Sequence, residues 1–199
     1  MSKGHQTRQA ILDEAARVAS RVGLAGLTIG SLAEQTGLSK SGLFAHFKSK
    51  QSLQSRVLAH ATEHFIDHVM RPAILAPRGE PRMRELFERW IKWCRGDVLP
   101  GGCLLFSAAA ELDDQPGPVR DKLVRDQQDL LDAIVQIFNS GIAEGQFRKD
   151  ADAGQFAHDL HSVMLGYSYS HRLMKDSAAE DRTRRAFEML LSAVRRGMH

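Results

Sequence analysis

The sequence predicts an all-α protein of about nine helices, and three observations carry that expectation. Ala and Leu together number 45 of the 199 residues, against 23 for Val, Ile and Thr, a balance that favours helix over strand. All six prolines bunch at Pro72, Pro77, Pro81, Pro100, Pro116 and Pro118, which leaves long stretches free of the residue that breaks helices. Between those breaks apolar side chains recur every three or four positions, the spacing of a helix with one buried face.

Composition narrows the functional class. An apolar content of 43% with 26% charged residues is that of a chain able to bury a core, not of a disordered one. The longest uncharged run, Val98–Ala110, has 13 residues and holds Pro100, Gly101 and Gly102, whereas a membrane span needs roughly 20 apolar residues. The segment Met1–Gln9 is polar with no signal-peptide core behind it, and the two cysteines form no disulfide framework. A cytoplasmic protein without membrane partners is expected. Charge is unevenly placed: residues 1–52 hold seven basic and three acidic side chains, while residues 53–199 hold 20 and 21. The positive excess is confined to the first quarter, where it suits a polyanion such as DNA.

In chain order, Thr7 is expected to cap a first helix running to about Val22, with Ile11, Ala15, Val18 and Val22 on its inner stripe. Gly23 and Gly26 stop it. Thr28 stands at the N-cap of a short helix, Ile29–Gln35, closed by Gly37. Ser39 caps the next, Lys40–His46, anchored by Leu43 and Phe47. Ser49 or Lys50 opens a longer helix carrying Leu53, Val57, Leu58, Ala61, Phe65 and Val69. A break over Pro72–Pro81 precedes a helix with Met83, Leu86, Phe87, Trp90, Ile91 and Cys94 on one face. Cys103–Leu112 forms a short apolar helix, and Pro116–Pro118 opens a long one closed near Gly145. Two more follow, about Asp152–Met174 and Ala178–Arg195, and no internal repeat is evident.

Function concentrates in Ile29–Phe47, which reads IGSLAEQTGLSKSGLFAHF. Two short helices meet at a tight turn, Thr36-Gly37-Leu38, with Leu32, Leu38 and Leu43 at inward positions. The small Ala33 lets the helices approach, and Gly37 takes the backbone geometry the turn needs. This is the pattern of a helix-turn-helix, whose second helix presents its N-terminal end to the major groove. From Thr7 to about Val57 the chain resembles the DNA-binding domain of TetR-type transcriptional regulators, through TRQAILDEAARVASRVG and LTIGSLAEQTGLSKSGLFAHFKSKQSL. GGCLLFSAAAEL resembles a segment of some branches of that family, and the later helices agree with its ligand-binding and dimerisation domain.

The resemblance implies a DNA-binding domain over residues 5–65 and a ligand-binding and dimerisation domain over 66–199. It carries Thr28 and Lys50 over as phosphate contacts, Lys40, Ser41 and Gly42 as the base-reading edge, and His46 as a backbone contact. Ser39 joins them as a cap that also touches DNA. Phe44 and Ala45 stand where many relatives carry tyrosine; Phe44 retains an apolar contact, such as to a thymine methyl, but has no hydroxyl for a phosphate.

In the larger domain an aromatic and Met-rich set, Phe65, Trp90, Trp93, Phe106, Phe138, Met164 and Tyr167, is expected to line an apolar pocket, with most members also serving as core. His64 and His68 border the apolar face of the fourth helix and are candidates to hold a polar effector. His60, His64 and His68 recur every four residues, and a histidine pair at that spacing suits a metal, with Asp67 or Cys94 as possible partners; no metal or other cofactor is assigned. The family implies a homodimer through the last two helices and a two-fold symmetric double-stranded operator. The expected function is a non-enzymatic, ligand-responsive regulator, a repressor released by a small-molecule effector. A helical enzyme or carrier with a helix-turn-helix appendage, or a DNA-binding protein without sequence preference, are the alternatives.

Overall fold

The computed structural model describes residues 3–197, with side chains from Arg8 onward. The described residues form helices and no sheet, and their only strand-like feature is the isolated bridge between Phe147 and Arg195. The helices are α1 (Lys3–Val22), α2 (Ile29–Thr36), α3 (Lys40–Phe47), α4 (Lys50–Phe65), α5 (Arg71–Leu75), α6 (Glu80–Arg95), α7 (Leu104–Leu112), α8 (Pro118–Ala143), α9 (Ala153–Arg172) and α10 (Ala179–Val194). The π-turn Ile66–Met70 joins α4 to α5 without a break, so the described residues make nine separate rods, as the sequence predicts. None is long and apolar enough to cross a membrane.

Two expectations about helix ends are corrected. α1 is already helical from Lys3, so Thr7 lies inside it and not at its cap; the Thr7 side chain is outside the described residues. The fourth rod runs past Pro72 to Leu75 instead of stopping there. The π-turn explains this: the Arg71 N–H bonds back to the Ile66 carbonyl, and Pro72 then falls in the first turn of α5, where its missing N–H costs no bond.

The chain forms two compact units, residues 1–64 with 98–126 and residues 65–97 with 127–199. In the first unit Ile11, Ala15 and Val18 of α1 are buried as expected, whereas Val22 is exposed and Ala19 takes the inward place. The Gly101-to-Leu112 segment completes this unit. Gly101 N–H donates to the buried Ser20 hydroxyl at 3.0 Å, and Glu111 on α7 accepts from the backbone N–H of Leu24 and Ala25, the turn between α1 and α2. The two-residue GlyGly thus seats α7 on α1, and Glu111 pins the entry to α2.

The second unit holds the aromatic core. Phe138 stacks on Phe147 and packs against Phe156, and Phe87 stacks face to face on Phe187 with centroids 4.0 Å apart. This last pair belongs to a repeat that periodicity alone does not reveal. Residues 80–88 read EPRMRELFE and residues 180–188 read EDRTRRAFE. In space the two segments pair reciprocally: Arg84 forks onto Glu188 and Arg184 onto Glu88, with each guanidinium 6.0 Å from the centre of the opposite segment's phenyl ring. Glu80 additionally receives Arg195, and Glu180 receives Arg184. The Arg195 bond, then the Arg84 bond, hold the Glu80 carboxyl below its ordinary 4.5, and Arg84 does the same to Glu188.

A depressed carboxylate binds fewer protons folded than unfolded, so this clamp stabilises above pH 4.5 and fades as pH falls below it. Acid unfolding monitored by circular dichroism is expected to show that loss, and Glu188→Gln to flatten it. An unchanged acid limb in the variant would contradict the clamp.

Candidate nucleic-acid interface

Each end of the two short helices is set by local chemistry. Thr28 accepts from the Ser31 N–H at 3.0 Å while the Ser31 hydroxyl accepts from the Thr28 N–H, a reciprocal cap that starts α2. Gly37 closes α2 at φ +67°, a left-handed conformation that a side chain would strain. Ser39 accepts from the Gly42 N–H at 3.1 Å and starts α3, and Ser49 accepts from the Ser52 N–H to start α4. Between α3 and α4, Lys48 is itself left-handed at φ +60°, the sharp corner of the FKSK junction.

These caps divide the residues into an inner and an outer set. Leu32, Ala33, Leu43 and Phe47 are buried, which locks α2 against α3. Ser39, Lys40, Ser41, Gly42, Phe44 and Lys50 are exposed, and Thr28 and His46 are half-buried at the edge of the same helices. Phe44 stands out as a phenyl ring 56% exposed on the outer side of a short helix. Leu38 departs from the inward position expected of it. It is exposed and rims a shallow depression with Ile11, Glu14 and Gln35. Ser31 and Lys48 also shape this edge: Ser31 is legible as the serine three residues after Thr28, whereas the positive φ of Lys48 carries no such signal.

The aromatic set expected around an effector divides. Phe65 meets Trp90 and Trp93 edge to face at 5.7 and 5.5 Å, and His68 lies 6.3 Å from Trp93. Trp90 meets His161 at 6.1 Å, and Met164 and Tyr167 are buried on the same helix, α9. Phe138 sits apart with Phe147 and Phe156, and His64 and Phe106 belong to the first unit. Two polar atoms in the second unit's core have no hydrogen-bond partner, Trp93 Nε1 and the Tyr167 hydroxyl. Burial pushes the Tyr167 phenol up to about 12, so it stays a donor. Burial, then the neighbouring His158, pulls His161 below its ordinary range, and its Nε2–H donates to Gln127 Oε1 at 2.9 Å.

A three-helix scaffold that caps a short polar helix, buries its inner face and leaves Lys40, Ser41 and Gly42 outward defines a helix-turn-helix regulator. The chain belongs to the TetR family of bacterial transcriptional regulators. Residues 11–57 match the model of bacterial regulatory proteins of the tetR family, and residues 79–187 match that of the tetracyclin repressor-like C-terminal domain. The crystal structure of a TetR transcriptional regulator from Chloroflexus aurantiacus is similar over 99% of this chain and 100% of that one, with a TM-score of 0.87 and 24% identity. A TetR-family regulator from Cytophaga hutchinsonii is similar over 100% and 99%, with a TM-score of 0.85 and 24% identity. A regulator from Saccharomonospora viridis, solved in complex with choline, is similar over 96% and 100%, with a TM-score of 0.79 and 17% identity. At these identities the likeness is one of fold. No curated protein matches the chain.

Proposed function

We propose that this regulator is a homodimeric repressor that reads a two-fold symmetric operator and leaves it when a small molecule binds residues 66–199. The exposed, capped edge of α3 carries the reading. Lys40, Ser41, Gly42 and Phe44 meet bases, and Thr28, Ser39, His46 and Lys50 meet the phosphate backbone. Leu165 and Tyr169 on α9 and Leu173 at its C-cap are spaced four apart and exposed, and Met189 is exposed on α10. Such an apolar ladder supports pairing of α9 and α10 with the same helices of a second chain.

The effector reading rests on the second unit. Trp93 Nε1 and the Tyr167 hydroxyl are buried donors whose bonds are unmade, which supports a ligand that brings acceptors and an apolar body. Trp90, Trp93 and Phe65 offer ring faces suited to a cationic head such as that of choline, the molecule in the Saccharomonospora viridis complex. Both tryptophans of the chain lie in this unit, so their fluorescence reports on it. A panel headed by choline is titrated against tryptophan emission and, separately, against the preformed operator complex. One ligand is expected to change both over the same concentration range. A ligand that changes emission and leaves the DNA complex intact contradicts the effector role.

A further inference from the structure

The first unit brings three metal-ligating side chains to one point, and DNA reading makes no use of them. His60 and His64 lie one turn apart on α4, with ring centroids 4.2 Å apart. Asp13 of α1 faces both: its Oδ1 is 2.7 Å from His60 Nε2 and 3.4 Å from His64 Nε2. The donor atoms of all three lie within 4.8 Å of one another. We propose that Asp13, His60 and His64 bind one divalent transition-metal ion of the zinc type, bridging α1 to α4 within the DNA-reading unit.

The geometry is close to what such an ion requires. Bonds of roughly 2.0–2.1 Å in a tetrahedral arrangement put neighbouring donor atoms about 3.3 Å apart. The His64–Asp13 separation of 3.4 Å already matches, and the His60–Asp13 separation of 2.7 Å has to open by about half an ångström. Two imidazoles and one carboxylate form a borderline donor set that favours zinc, cobalt or nickel over calcium or magnesium, which prefer oxygen. Burial is graded across the site: His60 is buried, His64 half-buried and Asp13 exposed. An ion can therefore enter from the Asp13 side, where water completes the fourth position. Asp67, three residues beyond His64, instead pairs with Arg71, and the required carboxylate comes from a different helix. Since α1 packs on α2, a metal bridge to α4 braces the scaffold that carries the recognition helix.

The test uses the untagged full chain, stripped with chelator and then titrated with Zn2+ by calorimetry and with Co2+ by visible absorption. One ion per chain is expected, with the absorption bands of a four-coordinate cobalt site and a Zn2+-dependent rise in melting temperature. Asp13→Asn, which keeps an acceptor for His60, and His64→Ala are expected to lose the bands and the rise. Their melting in chelator, compared with that of the parent, shows that they fold. His158→Ala, which removes an exposed histidine elsewhere, is expected to bind as the parent does. Absence of a stoichiometric ion in the parent would overturn the proposal, leaving the triad as a hydrogen-bonded tie between α1 and α4. Equal binding by the parent, Asp13→Asn and His64→Ala would overturn it as well, by moving the metal to other side chains.

Discussion

Replacing Lys40 by alanine is expected to weaken specific operator binding by about 10–100-fold and to relax base preference at one position in each half-site. Lys40 is the first residue of α3 and is exposed, and the Ser39 cap leaves its side chain unused within the fold. With α3 in the major groove as proposed, a lysine at that point would read guanine edges, a contact worth roughly 1–3 kcal/mol of discrimination. Lys50 opens α4 and is equally exposed, and its proposed partner is a phosphate. Lys50→Ala should therefore weaken binding to every sequence alike and lower the slope of affinity against salt by about one unit. Fluorescence anisotropy on operator and unrelated duplexes, at several salt concentrations, separates the two. Identical losses and slopes in both variants would contradict the division between base and phosphate contacts.

Gly101→Ala is expected to unfold the first unit at markedly lower temperature, with a loss of about 3 kcal/mol or more. A β-carbon there would stand 1.6 Å from the Ser20 carbonyl oxygen and 1.9 Å from its carbon. Both are backbone atoms near the end of α1, and no rotamer change moves them aside. The strain is relieved only by lifting the α7 approach from α1, which breaks the Gly101–Ser20 bond and draws Glu111 away from Leu24 and Ala25. Those bonds hold the turn leading into α2, so operator affinity should fall together with stability. Differential scanning calorimetry decides: a melting temperature within a degree or two of the parent would mean that α7 does not brace the DNA-reading unit.

The elements legible in the sequence are those whose cause is local. Thr28, Ser39 and Asp152 announce helix starts because their side chains bond amides three residues on, and Gly37 and Gly145 announce ends because they adopt positive φ. The inward places of Leu43 and Phe47 and the outward places of Lys40, Ser41 and Phe44 follow from helical period alone. What escaped depends on partners remote in sequence. Val22 and Leu38 fit an inward stripe but find nothing over them, whereas Ala19 does. The Arg84–Glu188 and Arg184–Glu88 pairs join segments 100 residues apart. The acid that meets His60 lies 47 residues upstream, so no spacing rule on α4 could have supplied Asp13. Continuation of the fourth rod through Pro72 needed the π-turn, which has no sequence signature of its own.

On the proposed function, a dimer of this chain reads a symmetric DNA sequence through α3. Selection of binding sites from a random duplex pool, with purified protein at physiological salt, tests it most directly. The expected result is a short consensus of two inverted half-sites whose centres are one helical turn apart, or a small multiple of it, about 34–36 Å per turn. Recovery of unrelated sequences without such a consensus, from protein that binds the pool tightly, would contradict it.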